Sequence, residues 1–225
     1  VLAAVLTARI PRAAHRLPIQ NAGWEALSAG LRYIFREKVV LGAVTLDLFV
    51  VILGGAMALM PIYASDILNV GPTGLGLLRA APAVGAIGVG LYLMVNPIRD
   101  HAGHMLFASV AGFGVFTLVF AFSEVFWLSI AALVLIGGCD MIGVFVRGTL
   151  VQLWTPDELR GRVNAVNQVF IGASNELGAF RAGTMAAFIG PVAAVAIGGI
   201  GALAVAGLWL RWFPGLRSIR HLGAP

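Results

Sequence analysis

The sequence predicts an all-α membrane protein with six transmembrane helices. Composition is the first observation: 60% of the 225 residues are hydrophobic and 11% are charged, against roughly 45–50% and 25% in soluble domains. Spacing is the second, because six apolar stretches, each near the roughly 20 residues that cross a hydrocarbon core, follow one another between residues 39 and 212. The third is the position of the cations, which collect on one side of those stretches. Backbone in lipid has no water to bond, so segments of this length are helices.

The chain opens on "VLAAVLTA", residues 1–8, which reads as the end of a preceding transmembrane helix. Residues 9–38 read as a cytoplasmic linker. It turns basic at Arg9, Arg12 and Arg16, then sets Trp24, Leu27, Leu31 and Ile34 at helical spacing, the pattern of an interfacial helix lying on the membrane surface. Spans are expected at 39–62, 73–95, 104–122, 125–147, 163–189 and 191–212, so that 39–212 forms one six-helix bundle and 213–225 a cytoplasmic tail. Turn-forming residues separate them: "NVGPTG" at 69–74, "NPIRDHAG" at 96–103, "SE" at 123–124 and "IGP" at 189–191. Small residues predict close helix contacts. Ala194, Gly198, Ala202 and Ala206 make a ladder on the last span, and Gly85, Gly88 and Gly90 thin the second.

A net charge of +5 and a pI near 10.3 would suggest nucleic acid in a soluble protein. Here the cations report orientation, and no nucleic-acid partner is expected. Only Arg79 and Arg181 fall within expected spans; the other lysines and arginines, Arg147 among them, lie before residue 39 or in the loops of that same side. The positive-inside rule then puts both ends of the segment in the cytoplasm. Tyr63, Tyr92, Trp127, Trp154, Trp209 and Trp212 fall near expected interfaces, as an aromatic belt does. The single cysteine, Cys139, sits in an apolar run and gives no disulfide framework.

Two loops carry more specific signals. In "TPDELRGRVNAV", residues 155–166, Thr155 is expected to cap a helix, with Pro156 at its first position and Glu158 completing a capping box. Arg160, Gly161 and Arg162 then lie at the cytoplasmic surface. "NPIRDHAGHM", residues 96–105, resembles the cytoplasmic loop motif G-x-x-x-D-R-x-G-R-K of the major facilitator superfamily. Asp100 and Gly103 match its acidic and second glycine positions, while Asn96, His101, His104 and Met105 depart from it. With "LDLF" at 46–49 and "TPDELRGRVNAVNQVFIGASNELGAFRAG" at 155–183, the chain resembles the C-terminal six-helix half of a major facilitator transporter, in the subgroup that contains the bacterial enterobactin exporter. The resemblance implies alternating access by two six-helix halves around a central cavity, driven by an ion gradient and without a bound cofactor. It implies as partners the lipid bilayer, a small-molecule substrate such as a siderophore or drug, and an N-terminal six-helix half. It also implies the bacterial cytoplasmic (inner) membrane as the location.

Five ionisable residues fall within the expected spans: Asp47, Arg79, Asp140, Glu176 and Arg181. Charges in a membrane face a bundle interior or a wet cavity, so each is a candidate for the substrate or proton pathway. At 100° per residue, Asn164, Asn167, Gln168, Ser174, Asn175 and Arg181 share one stripe of the fifth span, and Glu176 lies off it. The stripe is expected to serve the substrate, with Arg181 as its cation. Glu176 is expected to brace the bundle by pairing with Arg79, and Asp47 and Asp140 to exchange protons.

Other functions are less well supported. "GASN" at 172–175 echoes a serine motif, but His15, His101, His104 and His221 all fall outside the spans, so Ser174 has no base within the membrane. The pattern shows no metal-ligand cluster and no phosphate loop, and the chain is not expected to be an enzyme. The alternative to a transporter is an incomplete, non-transporting fragment or a membrane scaffold.

Overall fold

The computed structural model describes residues 24–98 and 100–219, almost all of them helical. The expected helix end at 1–8, the linker through residue 23, Arg99 and the tail from Arg220 lie outside the described residues. The elements are α1 (Trp24–Arg36), α2 (Lys38–Gly54), α3 (Ala56–Ile62), a π-helical turn (Tyr63–Ile67), α4 (Gly71–Val95), α5 (Ala102–Ala121), α6 (Phe126–Trp154), α7 (Asp157–Ile189), α8 (Pro191–Trp212) and the short α9 (Pro214–Arg217). In space α4 packs on α6, α6 on α5 and α5 on α8, while α2 and α7 pack on each other and on α8.

Counting Lys38–Ile67 as one span, five helical segments among the described residues are long and apolar enough to cross a membrane. The expected sixth, α7, has 33 residues. Its polar stripe keeps it out of that set, and its contacts with α1, α2, α3 and α8 hold it in the bundle. Two boundaries move. Helix α6 runs on to Trp154 past the expected end at 147, and α7 starts at Asp157. The expected capping box does not form, because the Thr155 hydroxyl turns back to donate to Val151 O of the preceding helix at 2.5 Å. Pro156 takes the N-cap position instead, and Asp157 pairs with Arg160 at 2.6 Å.

Small residues set the helix spacing, as expected, but at selected positions. A Cβ on Gly85 would lie 1.8 Å from Val134 O, and one on Gly137 would lie 1.9 Å from Pro82 O, so α4 and α6 touch backbone to backbone. Gly114 of α5 and Gly199 of α8 do the same for each other, their Cβ positions 3.0 and 2.9 Å from the opposite carbonyl. The ladder on α8 is buried, and a Cβ on Gly198 would meet Leu53 O at 2.5 Å. Gly88 has nothing within 4 Å and Gly90 meets only the Met141 side chain. Gly90 thus still faces α6, through a side chain, while Gly88 points away from that seam, which corrects the reading of Gly88 as a contact residue.

The ends of the bundle are tied by polar side chains. Tyr63 is fully buried, stacks on Phe120 at 4.5 Å and donates to Ala121 O at 2.9 Å, joining the first span to the end of α5. In the turn after α5, Ser129 donates to Ser123, which donates to Val125 O. At the other end the Tyr33 hydroxyl donates to Trp154 O, and the backbone of Gly30 lies against that of Arg162, docking α1 on α7. Ile34 is the buried side chain there, while Leu27, Leu31 and Phe35 remain exposed. Gly103 lets α9 close over α5: its N–H donates to Ile219 O at 3.1 Å and a Cβ would lie 2.2 Å from Leu216 O.

The α4–α6 seam gives a direct expectation. Gly85→Ala should lower the midpoint of thermal unfolding in detergent, with overpacking costing about 1–3 kcal/mol. Gly88→Ala, with open space around it, should be neutral or slightly stabilising.

Candidate functional site

The site begins with a break in the first span. Gly55 has φ +56°, a left-handed conformation that glycine adopts without strain, and it separates α2 from α3. A break in a helix at membrane depth leaves carbonyls that lipid cannot satisfy. Arg181 of α7 fills that need. Its Nε donates to Ile52 O at 2.9 Å, one Nη to Leu53 O at 2.5 Å, and the other Nη to Met185 Sδ at 3.0 Å. A guanidinium at a helix C-terminus also suits the negative end of the helix dipole. The sequence reading gave Arg181 to the substrate; the structure commits its donors to the broken helix.

The break opens a cavity of about 350 Å³ between α2, α3, α4, α5, α6 and α7. Its floor is the Gly54–Ala58 backbone; Leu133, Ile136 and Phe113 supply apolar wall, and Asn175 and Asp140 supply its polar side chains. Asp140 also borders a second pocket of about 40 Å³ between α2, α5 and α6, well above the ~10–15 Å³ that one buried water needs. Asp47, Arg147 and Ser109 line that smaller pocket. One carboxylate thus stands between a ligand-sized cavity and the small pocket of the ion pair.

Within the smaller pocket Arg147 Nη1 donates to Asp47 Oδ2 at 2.5 Å, both side chains largely buried at 7% and 19% exposure. The sequence reading placed Arg147 in a cytoplasmic loop. It lies instead inside α6, seven residues after Asp140 on the same face, about 10 Å along the axis. The signal was present: "GTLVQLW" continues the apolar run to Trp154, an interface residue. Arg147 Nε is buried with no partner, so Asp47 is the one anion that the guanidinium bonds among the described residues.

The remaining candidates divide. Arg79 on α4 and Glu176 on α7 are both exposed and form no ion pair with each other, which corrects the expected brace. They sit on outward faces of two different helices, where similar depth does not bring them together. Gln168 is exposed, Asn167 is buried with its Oδ1 unpartnered, and Ser174 is buried with its hydroxyl donating to Ile171 O of its own helix. Among the loop-motif residues, Gly103 seats α9, Asp100 lies at the bend before α5, and Arg160 donates to Gln152 O. Gly161 is open to solvent. Of the residues expected on the pathway, Asp140 and Asn175 line the cavity and Asp47 lines the smaller pocket behind it.

Two cations held inside the bundle predict a stability pattern. Asp47→Asn leaves a buried guanidinium unpaired and should cost about 3–5 kcal/mol, much of it recovered when Arg147 is also made Met. Arg181→Gln removes charge-assisted bonds to two carbonyls and should cost about 2–4 kcal/mol, with Arg181→Lys intermediate. Glu176→Gln should be close to neutral. Thermal unfolding of the four single variants and one double variant in detergent checks the series.

The family model described as transmembrane secretion effector matches residues 1–218. No curated protein and no solved structure matches the chain. A nearly full-length match, an all-helical bundle and several membrane-length apolar helices agree on a multi-pass membrane protein of a transporter family, which is not a family of enzymes. The chain belongs to the transmembrane secretion effector family, within the major facilitator superfamily.

Proposed function

We propose that the chain is the C-terminal half of a secondary active exporter of small molecules in the bacterial inner membrane, working by alternating access with an N-terminal six-helix half. The observation that carries this reading is Asp140, which borders both the ligand-sized cavity and the pocket of the Asp47–Arg147 pair. A carboxylate in that place takes up or gives up a proton as the cavity fills and empties, which is the link a gradient-driven transporter needs. Arg79, Gln168, Asn175 and Glu176 support a partner half, since exposed polar side chains at membrane depth call for a protein or water neighbour. The loop sequences resembling the enterobactin exporter's subgroup favour export over uptake.

The test is transport by the full-length natural protein in proteoliposomes with an imposed pH gradient, followed with a panel of labelled cationic, anionic and neutral small molecules. At least one should accumulate only while the gradient stands, and Asp140→Asn should cut its rate by about a hundredfold, the scale of a lost proton-transfer group. Accumulation that survives collapse of the gradient would sink the reading.

Orientation has its own check. In a Cys139-free background, cysteines at Ser65 and Glu124 should react with an impermeant thiol reagent from outside, and one at Ser218 should not; all three positions are exposed. Glu124 is used because Ser123 is only 2% exposed. The opposite pattern reverses the topology.

A further inference from the structure

We propose that the cavity beside the Gly55 break binds a lipophilic organic cation, with the positive charge against Asp140 and the apolar body against Phe113, Leu133, Ile136 and Met57. The proposal rests on the transport reading and names the substrate class of that same site. Three observations carry it. Asp140 is the one formally charged side chain among the described residues that line the cavity, and Asn175 is the one other polar side chain there. The nearby cations are committed elsewhere: Arg181 lies 3.2 Å from where a Cβ on Gly55 would stand, yet its donors meet Ile52 O, Leu53 O and Met185, and Arg147 holds Asp47. The volume of about 350 Å³ falls within the range of small-molecule sites.

The chemistry follows from that charge distribution. An anionic substrate would meet a carboxylate with no guanidinium among the lining side chains, in surroundings where charges interact strongly. A cation gains the carboxylate, and an aromatic ring in the wall adds attraction to a positive charge. Met57, half exposed at 49%, supplies a flexible apolar contact that suits several ligand shapes. An anionic siderophore, one of the substrates the family resemblance suggested, is disfavoured on the same grounds.

The experiment uses two probes of nearly equal shape and opposite charge, tetraphenylphosphonium and tetraphenylborate, bound to the full-length natural protein in detergent with no gradient. Affinity for the phosphonium should exceed that for the borate by at least about tenfold, as expected for one nearby charge. Asp140→Asn should erase the preference, while Asp140→Glu should keep phosphonium affinity within about threefold. Equal or tighter borate binding, or unchanged phosphonium binding by folded Asp140→Asn, overturns the proposal. Should Asp140→Asn fail to fold, Ala83→Trp decides, because Ala83 lines the cavity on an exposed face of α4 and the larger side chain fills it. Wild-type phosphonium affinity in that variant places the cation elsewhere and overturns the proposal. Transport without a gradient would sink the exporter reading and leave this binding result standing; lost charge preference with gradient-driven transport intact would sink this inference alone.

Discussion

The arrangement of the bundle depends on one interrupted helix. At Gly55 the first span changes direction, and the carbonyls of Ile52 and Leu53 lose the donors that a continuous helix would supply. Arg181 restores them from α7, and close backbone approaches hold the break from two sides: Gly178 of α7 against Val51 O and Gly198 of α8 against Leu53 O. A side chain at either glycine would push a helix outward and withdraw Arg181 from its carbonyls. Satisfying the backbone in lipid thus fixes where three helices meet, and the opened floor of the cavity is a consequence of that meeting.

The opposite wall of the cavity has a different cause. Helices α4 and α6 approach through Gly85 and Gly137, with Pro82 O and Val134 O as their contacts. This seam is rigid because neither side has a side chain that could yield. Asp140 follows Gly137 by three residues and so projects from the same part of α6, just beyond the tight contact, where the two helices leave room. The carboxylate is placed there by the helix packing and forms no ion pair among the described residues.

Much of this was legible in the sequence, and the limits were physical. Apolar length alone gives the helices, since lipid allows a segment near 20 residues few other conformations. The α8 ladder was legible because small residues at every fourth position can share one face. Gly88 misled because spacing does not say which face meets a neighbour. The Asp47–Arg147 pair was missed because it joins residues 100 apart in sequence, and an arginine near the end of an apolar run looks like an interface residue until its partner is placed. The Arg79–Glu176 pairing failed for the same reason in reverse: rough position along two helices was weighed while facing direction was not, and both side chains are exposed. "GG" at 54–55 followed by Pro61 was the one sequence sign of the interrupted helix, and Arg181 acquires its role only once that break exists.

Position then decides what each membrane charge does. Arg181 uses its guanidinium fork on two carbonyls and a thioether, while Arg147 bonds a carboxylate through one Nη. Neither guanidinium is among the side chains that line the larger cavity. Asp47 is likewise occupied by Arg147, whose Nε is already unpartnered. Displacing Asp47 would strand a buried cation, a change that costs more than the pair's formation gains. The pair therefore joins α2 to α6, and Asp140 is the carboxylate that lines the larger cavity. The bundle contains as many cationic as anionic groups around its centre, yet the one charged side chain that lines the larger cavity is an anion, because both guanidinium groups are bonded to the protein outside that lining.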